Sequence, residues 1–238
     1  MRFREQEKLK AVTFSYDDGM TQDIRLIELM NQYGLKGTFN LNSDKLGLNL
    51  IMERKDTGRR VARYRIQAKD LKYVYEGHEI AAHTLTHPIL PNQEDAEVIR
   101  QVEQDRLQLS ELAGYEVVGM AYPGGGGITH DDRVVELVRE NTGIRYARTV
   151  KLTDSFDPQA DLYRFRPNLH HIQDWDRMLE LTRRFVEMEA TTPQILYIWG
   201  HSYEMDFAWD RWQKLEELFA YLANRDDIFY GTNSEILL

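Results

Sequence analysis

The chain has 238 residues, with 30 Lys+Arg against 39 Asp+Glu, which gives a formal net charge of −9. A hydrophobic content of 42%, with only 15 Gly and 6 Pro, excludes a disordered or low-complexity chain and indicates one domain with a large core. The acidic balance argues against nucleic acid or an anionic membrane as partner, and zero Cys excludes disulfides, thiolate nucleophiles and Cys-type metal sites, so any metal must use His and carboxylate. The charged stretch from Met1 to Lys8 runs into an apolar strand without a signal-peptide core, and no apolar run reaches the roughly 18 residues of a membrane span. A cytoplasmic protein is the expectation.

In chain order, the alternation of Val12, Phe14 and Tyr16 predicts a strand that stops at Asp17-Asp18-Gly19. Leu26, Leu29, Met30 and Tyr33 have helical spacing over 22–33, with Gly34 placed to end the helix, and 35–41 reads as the next strand. The segment 44–67 breaks the rhythm. It is polar, carries Arg54, Lys55, Arg59, Arg60, Arg63 and Arg65, and holds an Asp56-Thr57-Gly58 turn. It reads as a surface insertion, a solvated hairpin, with contact to an anionic substrate as the other use of its local charge. Beyond it come a short helix over 68–75, a strand over 79–82, a helix over 94–112 and a strand over 117–122. A helix follows over 130–140, with Thr129 as N-cap and Asp131 and Asp132 in its first turn. Strands over 145–149, 194–199 and 228–230 and helices over 175–188 and 209–222 complete the chain. Six or seven strands separated by helices predict a parallel α/β sheet in barrel or near-barrel form, without repeats or linkers.

Such folds build their sites at the C-terminal ends of strands. Adjacent carboxylates at the first strand end, Asp17 and Asp18, point in different directions, so one can bind a metal while its neighbour faces the reacting atom; a helix N-cap is the structural alternative. His83 and His87 are i and i+4, the spacing that puts two imidazoles on one helical face, while Pro88 after them suggests a shaped turn. With a carboxylate from another strand they would leave an open coordination position, as in catalytic zinc sites. His201 follows an apolar strand, with Gly200 giving its backbone room, and could protonate a leaving group. Gly124, Gly125, Gly126 and Gly127 lack the Lys-Ser/Thr of a phosphate-binding loop, so the better use of that turn is a backbone amide at Tyr122 donating to an oxyanion.

Together these residues resemble the polysaccharide deacetylase family, the NodB-homology carbohydrate esterases, whose domain is a distorted (β/α) barrel of about seven parallel strands. Phe14-Ser15-Tyr16-Asp17-Asp18-Gly19 is similar to the family's Thr-Phe-Asp-Asp-Gly motif, His83 to His87 matches His-Ser/Thr-x-x-His, and Leu196 to His201 matches the last motif. The resemblance implies one divalent ion, zinc, on Asp18, His83 and His87, with Asp17 as general base, His201 as general acid and the Tyr122 amide at the oxyanion. The reaction implied is removal of an acetyl group from an N-acetylated sugar or related small amide. An amidohydrolase of nitrogen-rich, ureide-like amides and a non-catalytic carbohydrate-binding relative are the alternatives. The family's third motif places an Arg before the aromatic-Pro pair, where this chain has Ala121 before Tyr122-Pro123. Either another cation, such as Arg148 or Arg166, orients Asp17, or the base is tuned differently and the substrate range shifts; Arg148, His170 and Pro123 are expected around the site. The fourth-motif Asp and its Trp fall in the region of Asp161, His170, His171, Asp174 and Trp175. Tyr163, Trp175, Trp199, Tyr203, Trp209 and Trp212 could stack on sugar rings, although their spacing reads mostly as core.

Overall fold

The structure is a computed structural model that describes residues 7–124, 127–171 and 175–238. Gly125, Gly126 and Asp174 of the sequence reading lie outside the described residues. The first strand, β1 (Lys10–Asp17), is buried along its whole length, as a strand covered on both faces must be. Its period-two alternation divides its side chains between two cores. Val12, Phe14 and Tyr16 pack outward against the helices, whereas Ala11 shares an inner cluster with Tyr146, Tyr197 and Trp199. Thr13, Ser15 and Asp17 have the same parity as Ala11 and enter a polar network, with Thr13 bonded to Asn233, Ser15 to Asn40 and Asp17 to Asn40.

After α1 (Gln22–Gln32) comes β2 (Gly37–Leu41), then the hairpin of β3 (Asn49–Glu53) and β4 (Arg60–Tyr64), and the single turn α2 (Leu71–Val74). Strand β5 (Glu79–Ala82) leads through α3 (Asp95–Ala113) to β6 (Gly119–Ala121), α4 (Asp132–Asn141) and β7 (Tyr146–Arg148). The chain closes with β8 (Leu169–His170), α5 (Trp175–Glu187), β9 (Gln194–Gly200), α6 (Arg211–Leu222), β10 (Ile228–Tyr230) and α7 (Asn233–Leu237). The sequence reading omitted β8 and α7, which are two and five residues long and too short to carry a period. It also placed the cap of α4 two residues early. Asp131 is the N-cap, accepting from the Val134 amide at 2.8 Å, while Thr129 bonds the adjacent His130 ring.

All pairings in the main sheet are parallel, in the order β7-β6-β5-β2-β1-β9-β8. The lower half of β1 pairs with β10 and the upper half with β2. Phe165 bridges in parallel to Arg148 of β7, and a few residues later β8 pairs with β9. The segment 165–170 thus touches both ends of the sheet and closes a distorted barrel. This is the single-domain NodB-like (β/α) architecture expected from the sequence. The hairpin forms its own antiparallel sheet and is tied to the mouth of the barrel by Thr21 N–H to Tyr64 O, 2.7 Å, and Ile66 N–H to Gly19 O, 2.9 Å.

Candidate active site

Three strand ends and one turn supply the site. At the end of β1, Asp17 is inward and fully enclosed, and the Arg148 guanidinium from β7 reaches both its oxygens, at 2.6 and 2.5 Å. Asn40 donates to Asp17 Oδ1 at 2.8 Å. Burial alone would raise the Asp17 carboxyl, but Arg148, with His83 and His201 behind it, outweighs this and holds it below the usual carboxylate range. The cation absent from the third motif is therefore replaced from the neighbouring strand by Arg148. Arg166 is elsewhere, bonded to the Leu152 carbonyl. Arg148 itself is sandwiched, its guanidinium 4.3 Å from the Trp199 ring.

Asp18 leaves the strand in the left-handed region, φ 82°, which aims its carboxylate away from that of Asp17. Neither aspartate caps a helix, since α1 begins after Thr21 without a side-chain cap. Asp18 is instead held by the hairpin: Arg63 donates to Oδ2 at 2.7 Å and Arg65 to Oδ1 at 3.2 Å, with a further Arg65 contact to the Asp18 carbonyl. The hairpin is thus not simply solvated. Val61, Arg63 and Arg65 share one parity, and the valine is buried, so the two arginines are turned inward with it. The Asp18 carboxyl, which burial would raise, is kept well below its ordinary range by His201, Arg65, His83 and Arg63.

His83 and His87 follow β5 on an irregular turn rather than a helix, so the helical-face reading of their spacing is corrected. Thr84 and His87 adopt left-handed backbone, φ 68° and 62°, a conformation costing non-glycine residues of order 1 kcal/mol or more. Hydrogen bonds from buried polar residues hold it. Asp105 of α3 accepts the His83 amide at 2.9 Å, Asn42 donates to the His83 and Thr84 carbonyls at 2.6 and 2.8 Å, and Gln101 bonds both the amide and hydroxyl of Thr86. The resulting turn brings the two rings edge to face, 4.8 Å between centroids. His83 Nδ1 lies 2.8 Å from the Ala121 carbonyl, which selects the tautomer with Nε2 free towards the site. Burial pushes the His83 imidazole down to about 4 and lowers that of His87, so both are neutral at pH 7.

Asp18, His83 and His87 offer ligand atoms within 4.8 Å of one another. These donors fit a divalent ion. The imidazoles are deprotonated, and one carboxylate has about four lone-pair positions, of which the two arginines use two. A second cluster, His170, His201 and Glu204, meets the same distance criterion. Here one oxygen, Glu204 Oε2, faces three imidazoles: 2.8 Å from His171 Nε2, 3.4 Å from His201 Nδ1 and 3.5 Å from His170 Nε2. It also accepts the His201 amide at 3.1 Å. Burial opposes charge on His201, but Glu204, with Asp17 and Asp18, overcomes it and raises the imidazole to about 8. Burial, with His171 and His201 adding to it, pushes His170 down to about 3 against the pull of Glu204, so it stays neutral beside them.

Of the other expected residues, His170 is at this end of the barrel, its ring 6.1 Å from that of His201. Pro123 is buried after β6. The Tyr122 amide is not available to an oxyanion, because it donates to the Arg148 carbonyl at 3.0 Å as part of the β6–β7 ladder; that role is corrected. Asp161 caps a surface turn and pairs with Arg164, and the carboxylate beside His201 is Glu204. His201-x-x-Glu204 was the available signal for it. Among the aromatic candidates only Trp209 is strongly exposed, at 85%.

Comparison with known proteins bears on the family and the fold. The family model described as polysaccharide deacetylase matches residues 4–147. No curated protein sequence matches significantly. Among solved structures, the family 4 carbohydrate esterase domain of a multidomain xylanase from the hindgut metagenome of Trinervitermes trinervoides superposes with TM-score 0.60 at 16% identity, over 95% of this chain and 89% of that one. A family 4 carbohydrate esterase from Bacillus anthracis gives 0.58 at 14% identity, over 96% and 82%. A family 4 pseudoenzyme of Bacillus anthracis, as a mutant with restored enzymatic activity, gives 0.58 at 17% identity, over 96% and 68%. At these identities the likeness is one of fold, and the fold is shared by active and inactive members alike. With the family model covering more than half the chain, and its barrel and strand-end motifs in place, the chain belongs to the polysaccharide deacetylase family.

Proposed function

We propose that the protein is a metal-dependent hydrolase that removes the acetyl group from an N-acetylated sugar or related small amide. The observation that carries this reading is an ionised, Arg-held Asp17 at the same end of the barrel as a donor set of two neutral imidazoles with an ionised Asp18, and a His201 raised by Glu204. A divalent ion held by Asp18, His83 and His87 would polarise the amide carbonyl and acidify a water, and zinc is the ion this donor set suits. Asp17, kept ionised by Arg148, accepts the proton of the attacking water. His201, protonated below about pH 8, returns a proton to the departing amine. Glu204 holds that proton on the imidazole until nitrogen takes it.

Paired substitutions test this division of labour. Asp17→Asn is expected to keep its metal and lose about 10²–10⁴-fold in kcat, whereas His83→Ala loses metal and turnover together. Metal loss in Asp17→Asn would mean that the roles of the two aspartates are exchanged, and full turnover in metal-free His83→Ala would remove the metal from the reaction.

A further inference from the structure

A cavity of about 220 Å³ opens between the hairpin and the barrel mouth. Asp18 and His87 line it on the barrel side, Lys45, Arg63 and Arg65 on the other, and the half-exposed Leu48 and Leu50 flank it. Three cations thus face one carboxylate in a chain whose net charge is −9. Asp17, the next acid, is already matched by Arg148. The excess charge is not fully spent inside the protein. Among the described residues the Lys45 ammonium has no hydrogen bond or ion pair, and Nε of Arg63 is buried without a partner. Arg63 is fixed by its contact with Asp18 and by stacking 4.5 Å from the Tyr203 ring, and Arg65 by Asn42 Oδ1 at 2.8 Å. A neutral glycan covering this cavity would offer these cations hydroxyl acceptors but no opposite charge to offset their desolvation, which is costly. An anionic group would pair them and supply that charge.

We propose that this cavity binds an oxyanion, a phosphate or a carboxylate, carried by the substrate close to the amide that is cleaved. The inference rests on the deacetylase reading for the amide, and for the anion on Lys45, in the turn after β2, together with Arg63 of the hairpin. The substrate class becomes an N-acetylated sugar with an acidic substituent. Lys45 and Arg63 supply the free donors, while Arg65 serves chiefly to hold Asp18 and the hairpin base in place.

The test is calorimetric titration of the purified protein with N-acetylglucosamine, its 6-phosphate and the corresponding uronate, at low and high salt, with acetate release followed in the same samples. At least one acidic sugar is expected to bind about tenfold or more tighter than the neutral one. That preference should shrink in high salt, disappear in Lys45→Gln and survive in Lys45→Arg; which acid is preferred distinguishes phosphate from carboxylate. Equal affinity for all three sugars, binding of none, or a preference unaffected by Lys45→Gln overturns the inference. Acidic preference without acetate release would leave the anion site standing and remove the deacetylase reading. Equal affinity with acetate release would do the reverse.

Discussion

A single carboxylate oxygen, Glu204 Oε2, lies within 3.5 Å of nitrogens on His170, His171 and His201. It pulls all three rings upward, but only His201, which also faces Asp17 and Asp18, ends above its ordinary value, at about 8; burial dominates for the other two. A raised acid remains protonated until the pH passes its own value, so kcat/KM is expected to hold through neutrality and fall as the pH rises through about 8. Glu204→Gln removes the negative charge, lowers the His201 imidazole and moves that alkaline limb to lower pH, with metal content unchanged. A pH–rate profile checks it, and an unmoved limb would detach Glu204 from the acid. Asp17, Asp18, His83, His87, Arg148 and His201 were all legible as strand-end or strand-flanking polar residues. Glu204 and Asp105 were not, because each is an acid on a helical segment, a place where acids are usually solvated.

At the scale of elements, two glycines and one hairpin decide how the site is assembled. At Gly200, an added Cβ would lie 1.9 Å from Cδ2 of His171, so β9 can pass over the His171 ring only with glycine there. Gly200→Ala is expected to displace His171, loosen Glu204 from His201 and destabilise the fold by about 1–3 kcal/mol, as overpacking of a filled core does. A lowered melting temperature together with a shifted alkaline limb checks it; a melt and pH profile like those of the parent would contradict it. Gly19 is the second, with φ 65° and a Cβ position 2.8 Å from Leu41 Cδ2, and it turns the chain from Asp18 towards α1. Strand β5 and the parallel pairing followed from apolar runs, which respond to burial alone. The turn of His83 to His87 was less legible, since i and i+4 are neighbours on a helix and can equally be brought together by left-handed backbone held from outside. In the hairpin, the count of arginines pointed to solvent; the parity of Val61, Arg63 and Arg65 carried the information that two of them face Asp18.

Across the whole molecule, the barrel gathers at one end groups that are far apart in the chain. Asp17 and Arg148 are joined over 131 positions of sequence and both are buried. Leaving either without the other costs about 3–5 kcal/mol, so the pair that keeps Asp17 ionised also binds β1 to β7 across the barrel. Beside the inner apolar cluster lie buried polar bonds, with Thr38 and Tyr146 donating to Glu79 and Asn233 donating to Tyr197, which tie the strands to one another. No helix among the described residues is long and apolar enough to cross a membrane.

The central claim, that this geometry hydrolyses an acetamide with the help of an ion on Asp18, His83 and His87, is tested most directly by one measurement. Acetate release from N-acetylated sugars is followed for the protein as purified, after exhaustive chelation, and after a single divalent ion is restored. The account predicts loss of activity on chelation and its recovery at about one ion per chain. Acetate release that persists undiminished in fully metal-free protein, or its absence with the site fully loaded, would contradict it.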